Sequence, residues 1–466
     1  MHPDIAVVVV NWNKKADVLN LLNELRKVTD PLFDIFVVDN ASTDGSTDAI
    51  GTDFPDVNLI MNRENLGGTG GFNTGIDYVC KLDRYNYIWL LDNDASITGN
   101  TLSELINVIK SDDLIGIVGS HIKDIDNKGI TVELGANIRW DRIGTNPVHR
   151  NATEEITHPE DVDYVAICSA LVSVKALKNV GLMDSRLFLL WDDMDWGLCF
   201  KDHGYKVIAA SKSVVYHGSF TERDRGAVTN FYYGIRNPLL VYSKHASLIK
   251  LSKIFYRSLK SYLKNYFFLK SHHKKYEAEL IYKALSDFMN NRWGKFSLNN
   301  KMTGIMEPQP IKTPTRGKDD TKKILISSIR ISFQECMNII KSMNERYPDA
   351  RITILVRNDR VNYYKQYDTH ILNRIKMENL FYAIKDCIAI KRKKFDAIAY
   401  TSPTPFGFLG KSSILCDKGG QILSKNYTSP LSLIKIFLLI CFSELVTFII
   451  LPVLLYKSLK YKGLSH

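Results

Sequence analysis

Two acidic clusters and one histidine carry most of the chemistry this chain can do. Asp92-Asn93-Asp94 closes the apolar run Tyr87–Leu91, and Trp191-Asp192-Asp193-Met194-Asp195-Trp196 forms the second cluster. His217 follows the strand-like Val214-Val215-Tyr216. Carboxylates where an apolar strand meets a loop suit a divalent cation, which takes hard oxygen ligands and leaves positions for phosphate and water. A separate carboxylate patch beside it has the chemistry to remove a proton from an alcohol. The combination points to group transfer from a metal-bound diphosphate to a hydroxyl.

Each feature has a plainer explanation. Asp and Asn are common in polar turns after strands, so a D-x-D alone says little. An Asp at a helix start is usually an N-cap, and a lone histidine is more often structural than a ligand. Three acids between Trp191 and Trp196 exceed what a cap requires. Those two indoles fit the apolar faces of a sugar, and the helix dipole would favour ionised Asp192, Asp193 and Asp195.

The elements that must position these residues alternate strand and helix over residues 4 to about 122. Ile5–Val10 is a β-branched run suited to a strand buried on both faces. Apolar residues Val18, Leu21, Leu22 and Leu25 have helical spacing. Further strands are predicted at Asp34–Asp39, Asn58–Met61 and Tyr87–Leu91, and a helix at Thr101–Lys110. This order predicts an α/β fold with a mostly parallel sheet, in which ligands sit at the carboxyl ends of the strands. Asn11, Asp39 and Asp92 fall at such ends. Asn65–Gly75 is glycine-rich. It is read either as backbone that approaches a phosphate closely or as a flexible turn leading into a helix over Ile76–Leu82. A helix around Asp192–His203 is predicted to stop at Gly204.

The chain has 466 residues and a net charge of +11. From Lys244 to Tyr276 there are nine Lys or Arg and no acid, interleaved with aromatics including Phe255 and Tyr256. That composition fits an anionic surface, and interfacial helices share it. The apolar segment Ile436–Tyr456 favours a membrane over nucleic acid as the partner, as a span, a re-entrant piece or an interfacial one, with a buried core helix as the plainer alternative. Seven dispersed cysteines without a C-x-x-C pair argue against a disulfide framework or structural zinc. No secretory signal is expected at the N-terminus. The expected domains are 1–243 catalytic, 244–298 a basic aromatic helical extension and 299–322 a Pro-containing linker. A small Rossmann-like α/β domain at 323–430 and an apolar membrane-associated segment with a basic tail at 431–466 complete the chain.

Taken together, the motifs resemble family 2 glycosyltransferases with the GT-A fold. The matching stretches are Val8–Asn13, Val37–Asp44, Asn65–Gly71, Trp89–Asp94, Trp191–Trp196, Gly204-Tyr205, His217, Arg236-Asn237-Pro238 and Arg292–Lys295. Within the family the chain looks most like bacterial galactofuranosyltransferases, with rhamnosyltransferases close behind. The resemblance implies that Asn11, Asp39, Asn65 and Asp92 bind the nucleotide sugar. Asp92, Asp94 and His217 would hold Mg²⁺ or Mn²⁺. Asp193 would be the catalytic base, with Trp191, Asp192 and Asp195 lining the acceptor pocket. Asp195 stands where the galactofuranosyltransferases often have Glu. The implied reaction inverts the anomeric centre. The implied donor is UDP-galactofuranose, with TDP-rhamnose as the alternative. The expected acceptor is a lipid-linked or polysaccharide hydroxyl. The expected place is the cytoplasmic face of a bacterial inner membrane, where nucleotide sugars and reduced thiols belong. A nucleotidyltransferase would need a G-x-G-T-R-type loop after the first strand, which Asn11–Lys14 does not supply. A non-catalytic membrane scaffold is the remaining alternative, and the intact acidic clusters speak against it.

Overall fold

The computed structural model describes residues 3–218, 228–271, 275–296, 322–327, 333–357, 368–372, 397–400, 412–416, 422–427 and 446–461. The chain divides into two compact units. The first comprises residues 1–261, 279–297 and 447–466, and the second residues 262–278 and 298–446.

The first unit is built on strands β1 (Ile5–Asn11), β2 (Asp34–Asp39), β3 (Asn58–Met61), β4 (Tyr87–Asp92), β5 (Ser96–Ile97), β6 (Ile115–Asp124), β7 (Thr131–Glu133), β8 (Ala136–Ile138), β9 (Thr145–Pro147), β10 (Glu160–Asp161), β11 (Ser169–Ser173) and β12 (Lys206–His217). Its helices are α1 (Lys15–Leu25), α2 (Ser46–Asp53), α3 (Gly67–Lys81), α4 (Thr101–Ile109), α5 (Val174–Val180), α6 (Asp192–Asp202), α7 (Val228–His245), α8 (Leu248–Ser271) and α9 (Lys275–Met289), although α8 and the first residues of α9 run into the second unit.

The main sheet runs β10-β12-β6-β11-β4-β1-β2-β3. Strands β3, β2, β1 and β4 are parallel. The sheet as a whole is mixed rather than mostly parallel, because β11 enters antiparallel between β4 and β6. The β-branched run of β1 explains its central place: Val7 and Val9 face one core, with Val18, Leu21, Leu22 and Trp89. Ala6 and Val8 face the other, with Phe72, Ile76 and Leu90. A strand apolar on both faces is stable only between two covered layers.

The glycine-rich stretch is not a loop before Ile76, since α3 already begins at Gly67. Glycine is a poor helix former, but here the sheet lies too close for a side chain. A Cβ on Gly71 would stand 2.6 Å from Val10 Cγ1, and one on Gly75 2.4 Å from Val8 Cγ1. Close packing of α3 on β1 therefore overrides local propensity.

The basic stretch is helical, but its aromatics are not all on a surface. Phe255 is buried with Leu251, Ile254 and Leu259, and meets Phe288 edge-on at 6.2 Å. Residues 446–459 form a helix, followed by Tyr461, whose ring packs on Trp293 at 5.7 Å. The expected separate segment 431–466 thus contributes residues 447–466 to the first unit. Among the described residues no helix is long and apolar enough to cross a membrane. Residues 436–445 of the apolar stretch lie outside the described ones.

The second unit contains β13 (Lys323–Ser327), α10 (Phe333–Arg346), β14 (Arg351–Arg357), β15 (Asp368–Leu372), β16 (Ala397–Tyr400), β17 (Ser412–Cys416) and β18 (Ile422–Tyr427). Its sheet order is β15-β14-β13-β16-β17-β18, parallel except for β18. Ile324, Ile326, Ile339, Met343 and Ile354 form its core.

Candidate active site

The carboxyl ends of β1, β2 and β4 meet through one buried amide. Asn11 donates from Nδ2 to Asp39 Oδ1 (3.1 Å) and Ser46 Oγ (3.0 Å), and its Oδ1 accepts from Asn93 Nδ2 (2.9 Å). Asp39 also accepts from the Ser42 backbone N–H at 2.8 Å. Both residues are fully buried, so they organise the strand ends rather than stand open to solvent. Asn65 accepts from the Gly67 N–H (2.8 Å) and shapes the entry to α3.

Asp92 at the end of β4, Asp94 two residues on and His217 at the end of β12 converge. His217 Nε2 lies 3.1 Å from Asp94 Oδ1 and 3.8 Å from Asp92 Oδ2. Burial pushes the Asp92 carboxyl up to about 6, and His217 offsets only part of this. The side chain is still 40% accessible, so it lies deep in the fold yet open on one side. The hydrogen bond from His217 holds Asp94 below the usual carboxylate range, against the effect of burial. Burial works against the His217 imidazolium. The bond to Asp94 and the charges of both carboxylates outweigh it, and its pKa rises.

One ligand atom from each of the three lies within 4.8 Å of the others. Two carboxylates and an imidazole that attract a proton this strongly suit a small divalent cation, whose binding would displace that proton. The residues present therefore fit the metal that the resemblance implies.

The second acidic cluster opens α6. The backbone before it is strained, with Phe188, Leu190 and Trp191 at φ 61°, 65° and 70°. Such conformations persist only where the surroundings enforce them. Here Asn237 Nδ2 lies 2.8–2.9 Å from the carbonyls of Leu187, Leu189 and Leu190. Arg236 donates to the Arg186 and Gly294 carbonyls at 3.2 and 3.0 Å. Arg236 and Asn237, recognisable in the sequence only as a matching stretch, are buried clamps on this turn.

The N-cap position of α6 is Trp191, not an acid. Asp192 accepts from Thr69 Oγ1 at 2.7 Å, tying α6 to α3. Burial raises the pKa of Asp192. Burial, then the charges of Asp192, Glu133 and Asp92, hold Asp193 well above the carboxylate range. The helix dipole was expected to favour the ionised forms. Desolvation and like charge win at Asp192 and Asp193.

Asp195 behaves differently. Burial opposes its charge, but Lys244 and His245 bring its pKa down. Its oxygens lie 2.6 Å from Lys244 Nζ and 3.0 Å from His245 Nε2, and it is 1% exposed. The structure thus turns Asp195 into the interior rather than into an acceptor pocket. The expected pair of sugar-stacking indoles is also corrected. Trp196 is 1% exposed, donates to the Gly181 carbonyl at 3.0 Å and packs on Phe200. Trp191 is nearly buried against Tyr242, with ring centres 5.8 Å apart.

Sequence reasoning missed Glu133. It sits on the three-residue strand β7, too short for any periodicity to mark it. Burial pushes it up to about 7, against Arg150 and a bond from Tyr164, and its charge reaches Asp193. Lys244 and His245 were also missed as partners of the cluster. They are 49 and 50 residues from Asp195 in sequence.

Residues 6–181 match the model of the glycosyl transferase family 2. That segment is similar to a family 2 glycosyltransferase domain. Over 268 residues the chain is 25% identical to the galactofuranosyltransferase GlfT2 of Mycobacterium tuberculosis, covering 52% of this chain and 41% of that protein. The Mycolicibacterium smegmatis GlfT2 is 23% identical over the same length and coverage. The chain thus spans about two-fifths of the length of these relatives. Among solved structures it is similar to S. aureus TarS 1-349 in complex with UDP-GlcNAc, at 18% identity and TM-score 0.42, covering 62% of this chain and 81% of that one. α6 and His217 lie beyond the segment matched by the family model. The fold brings them to the strand ends of this domain.

Proposed function

We propose that the chain is an inverting, divalent-metal-dependent glycosyltransferase. It moves a sugar, galactofuranose from UDP-galactofuranose, to a hydroxyl of a lipid-linked or polysaccharide acceptor at the cytoplasmic face of a membrane. One observation carries the reading: Asp193, a carboxyl with a strongly raised pKa, lies within electrostatic reach of the Asp92–Asp94–His217 cluster. The galactofuranosyltransferase relatives support the donor.

Asp92, Asp94 and His217 would hold Mg²⁺ or Mn²⁺. When bound, the ion supplies positive charge that stabilises the departing diphosphate. Asp193 accepts the proton of the acceptor hydroxyl as the new oxygen–carbon bond forms and the bond from the anomeric carbon to the phosphate oxygen breaks. A base with a raised pKa is matched to that transfer near neutral pH. Thr69 holds Asp192 beside it, and the 186–191 turn clamped by Arg236 and Asn237 fixes the start of α6. One displacement at the anomeric carbon inverts it.

Membrane-surface docking is supported by the outer face of the 446–459 helix. Phe448, Ile449 and Tyr456 there are 66%, 64% and 74% exposed, and Lys457 and Lys460 adjoin them.

The test is release of UDP or TDP from a panel of nucleotide sugars, with Mn²⁺ or with EDTA, on the wild type and Asp193→Asn. Metal-dependent turnover of UDP-galactofuranose that falls about 10²- to 10⁴-fold in the variant is the expected result. Turnover of TDP-rhamnose instead would refute the donor and keep the mechanism. Absence of turnover with every donor and with lipid-linked acceptors would refute the enzyme reading.

A further inference from the structure

A second group of metal-ligating side chains stands apart from Asp92, Asp94 and His217. His149 Nε2 and His158 Nε2 lie 2.8 and 3.0 Å from the same oxygen, Glu160 Oε1. One ligand atom from each of the three residues lies within 4.8 Å of the other two. We propose that His149, His158 and Glu160 form a Zn²⁺ site that staples the segment after β9 to β10, with water completing the coordination.

The donor chemistry selects the ion. Two neutral imidazoles and one carboxylate favour Zn²⁺ and similar borderline ions, and zinc sites with three protein ligands keep a position for water. Mg²⁺ and Ca²⁺ prefer all-oxygen shells. This set is therefore distinct in kind from the two-carboxylate cluster at the end of β4. The geometry needs little change. Both Nε2 atoms lie within hydrogen-bond distance of one carboxylate oxygen, so the three donor groups already converge. The side chains are reachable, at 31%, 69% and 25% accessible for His149, His158 and Glu160.

The backbone frames the site from two sides. Glu160 is fixed by the pairing of β10 with β12, opposite Ala209. His149 is held at φ 52°, inside a segment that pairs with β7 and the residues after it: Leu134 N–H to Val148 (3.1 Å), Asn151 N–H to Thr131 (2.8 Å) and Thr131 N–H to Ala152 (2.9 Å). An ion here would close residues 149–160 into a loop. It would stiffen the strand that carries Glu133, whose charge reaches Asp193. The next residue after His149 is Arg150, which acts on Glu133. The site is placed to tune the acidic cluster without taking part in it. The proposal stands whether or not the glycosyl-transfer reading does.

The experiment uses the full chain stripped by chelator, then titrated with Co²⁺ as a spectroscopic stand-in for Zn²⁺, in excess Mg²⁺ to fill the oxygen-rich cluster. The expected result is one equivalent of visible d–d absorption, displaced by Zn²⁺. Affinity should fall at least tenfold in His158→Gln and Glu160→Gln and be unchanged in His217→Gln. His158 is exposed, so its variant should fold, and circular dichroism checks this. Absorption lost in His217→Gln and kept in His158→Gln would assign the ion to the first cluster and overturn the proposal. A thiolate charge-transfer band lost in Cys199→Ser would place it among Asp195, Cys199 and His245 and overturn it too. No absorption in the wild type would do the same.

Discussion

Replacing Lys244 with methionine should destabilise the first unit strongly while leaving its shape nearly intact. The Lys244 side chain is 2% accessible and its Nζ lies 2.6 Å from Asp195 and 3.2 Å from Asp184, both equally buried. Removing one member of a buried ion pair costs about 3–5 kcal/mol, because the partner charge stays buried. Each carboxylate here keeps a second cation: Arg186 Nε at 2.7 Å for Asp184 and His245 at 3.0 Å for Asp195. The loss should therefore fall at the low end, about 3 kcal/mol, or about a hundredfold in the folding equilibrium.

All six tryptophans (Trp12, Trp89, Trp140, Trp191, Trp196 and Trp293) belong to the first unit. Urea unfolding followed by tryptophan fluorescence therefore reports on the right unit. Acid provides a second handle. Burial opposes the charge of Asp184, but Arg186 and Lys244 hold its carboxyl down to about 2. With the folded pKa below the unfolded one, its contribution is present above about pH 4 and lost as pH falls towards about 2. Without Lys244 that depression shrinks, so the gap between wild type and variant should narrow over the same range. Adding Asp195→Asn should restore part of the loss, since it removes one of the two carboxylates that Lys244 neutralises and leaves Asp184 with Arg186. A loss below about 1 kcal/mol, typical of surface pairs, or a gap indifferent to acid, would refute the reasoning.

Other outcomes follow from the same contacts. Glu133→Gln removes a negative charge that raises the pKa of Asp193, so the acid limb of the pH–rate profile should move to lower pH. An unmoved limb would deny that Asp193 is the base. Gly67→Ala should lower the melting temperature, because its Cβ would sit 2.1 Å from the Phe188 carbonyl oxygen at φ +76°. The expected cost is about 1–3 kcal/mol, whereas Gly51→Ala, with open space around it, should be neutral or stabilising by about 0.4–1 kcal/mol. His245 is buried, which opposes its charge, but Asp195 and Asp202 raise its pKa to about 11. Its contribution should be full below about pH 6.5 and lost as pH rises through about 11. Denaturation of His245→Gln beside the wild type should show the gap closing over that window.

Local pattern was enough for several parts of the fold and the site. The β-branched run Ile5–Val10 demanded a strand covered on both faces, and β1 is central. Gly204 marked the end of α6 and stands at φ 81°. The grouping of Asp92, Asp94 and His217 was legible because the two carboxylates follow an apolar strand and His217 ends another. The packing of the folded chain set whatever depends on which surfaces meet. It made the glycine-rich stretch a helix, because β1 leaves no room for side chains on Gly71 and Gly75. It inserted β11 antiparallel, a choice of pairing that hydrophobic period cannot encode. It separated three neighbouring acids that look alike in sequence. Successive positions on a helix point in different directions. Asp192 and Asp193 stay with the strand-end carboxylates, while Asp195 turns inward to cations supplied by α7. It also recruited Glu133 from a strand too short to leave a sequence signal. Charge and burial are set by neighbours distant in the chain, so only the folded chain could assign these carboxyls their different protonation.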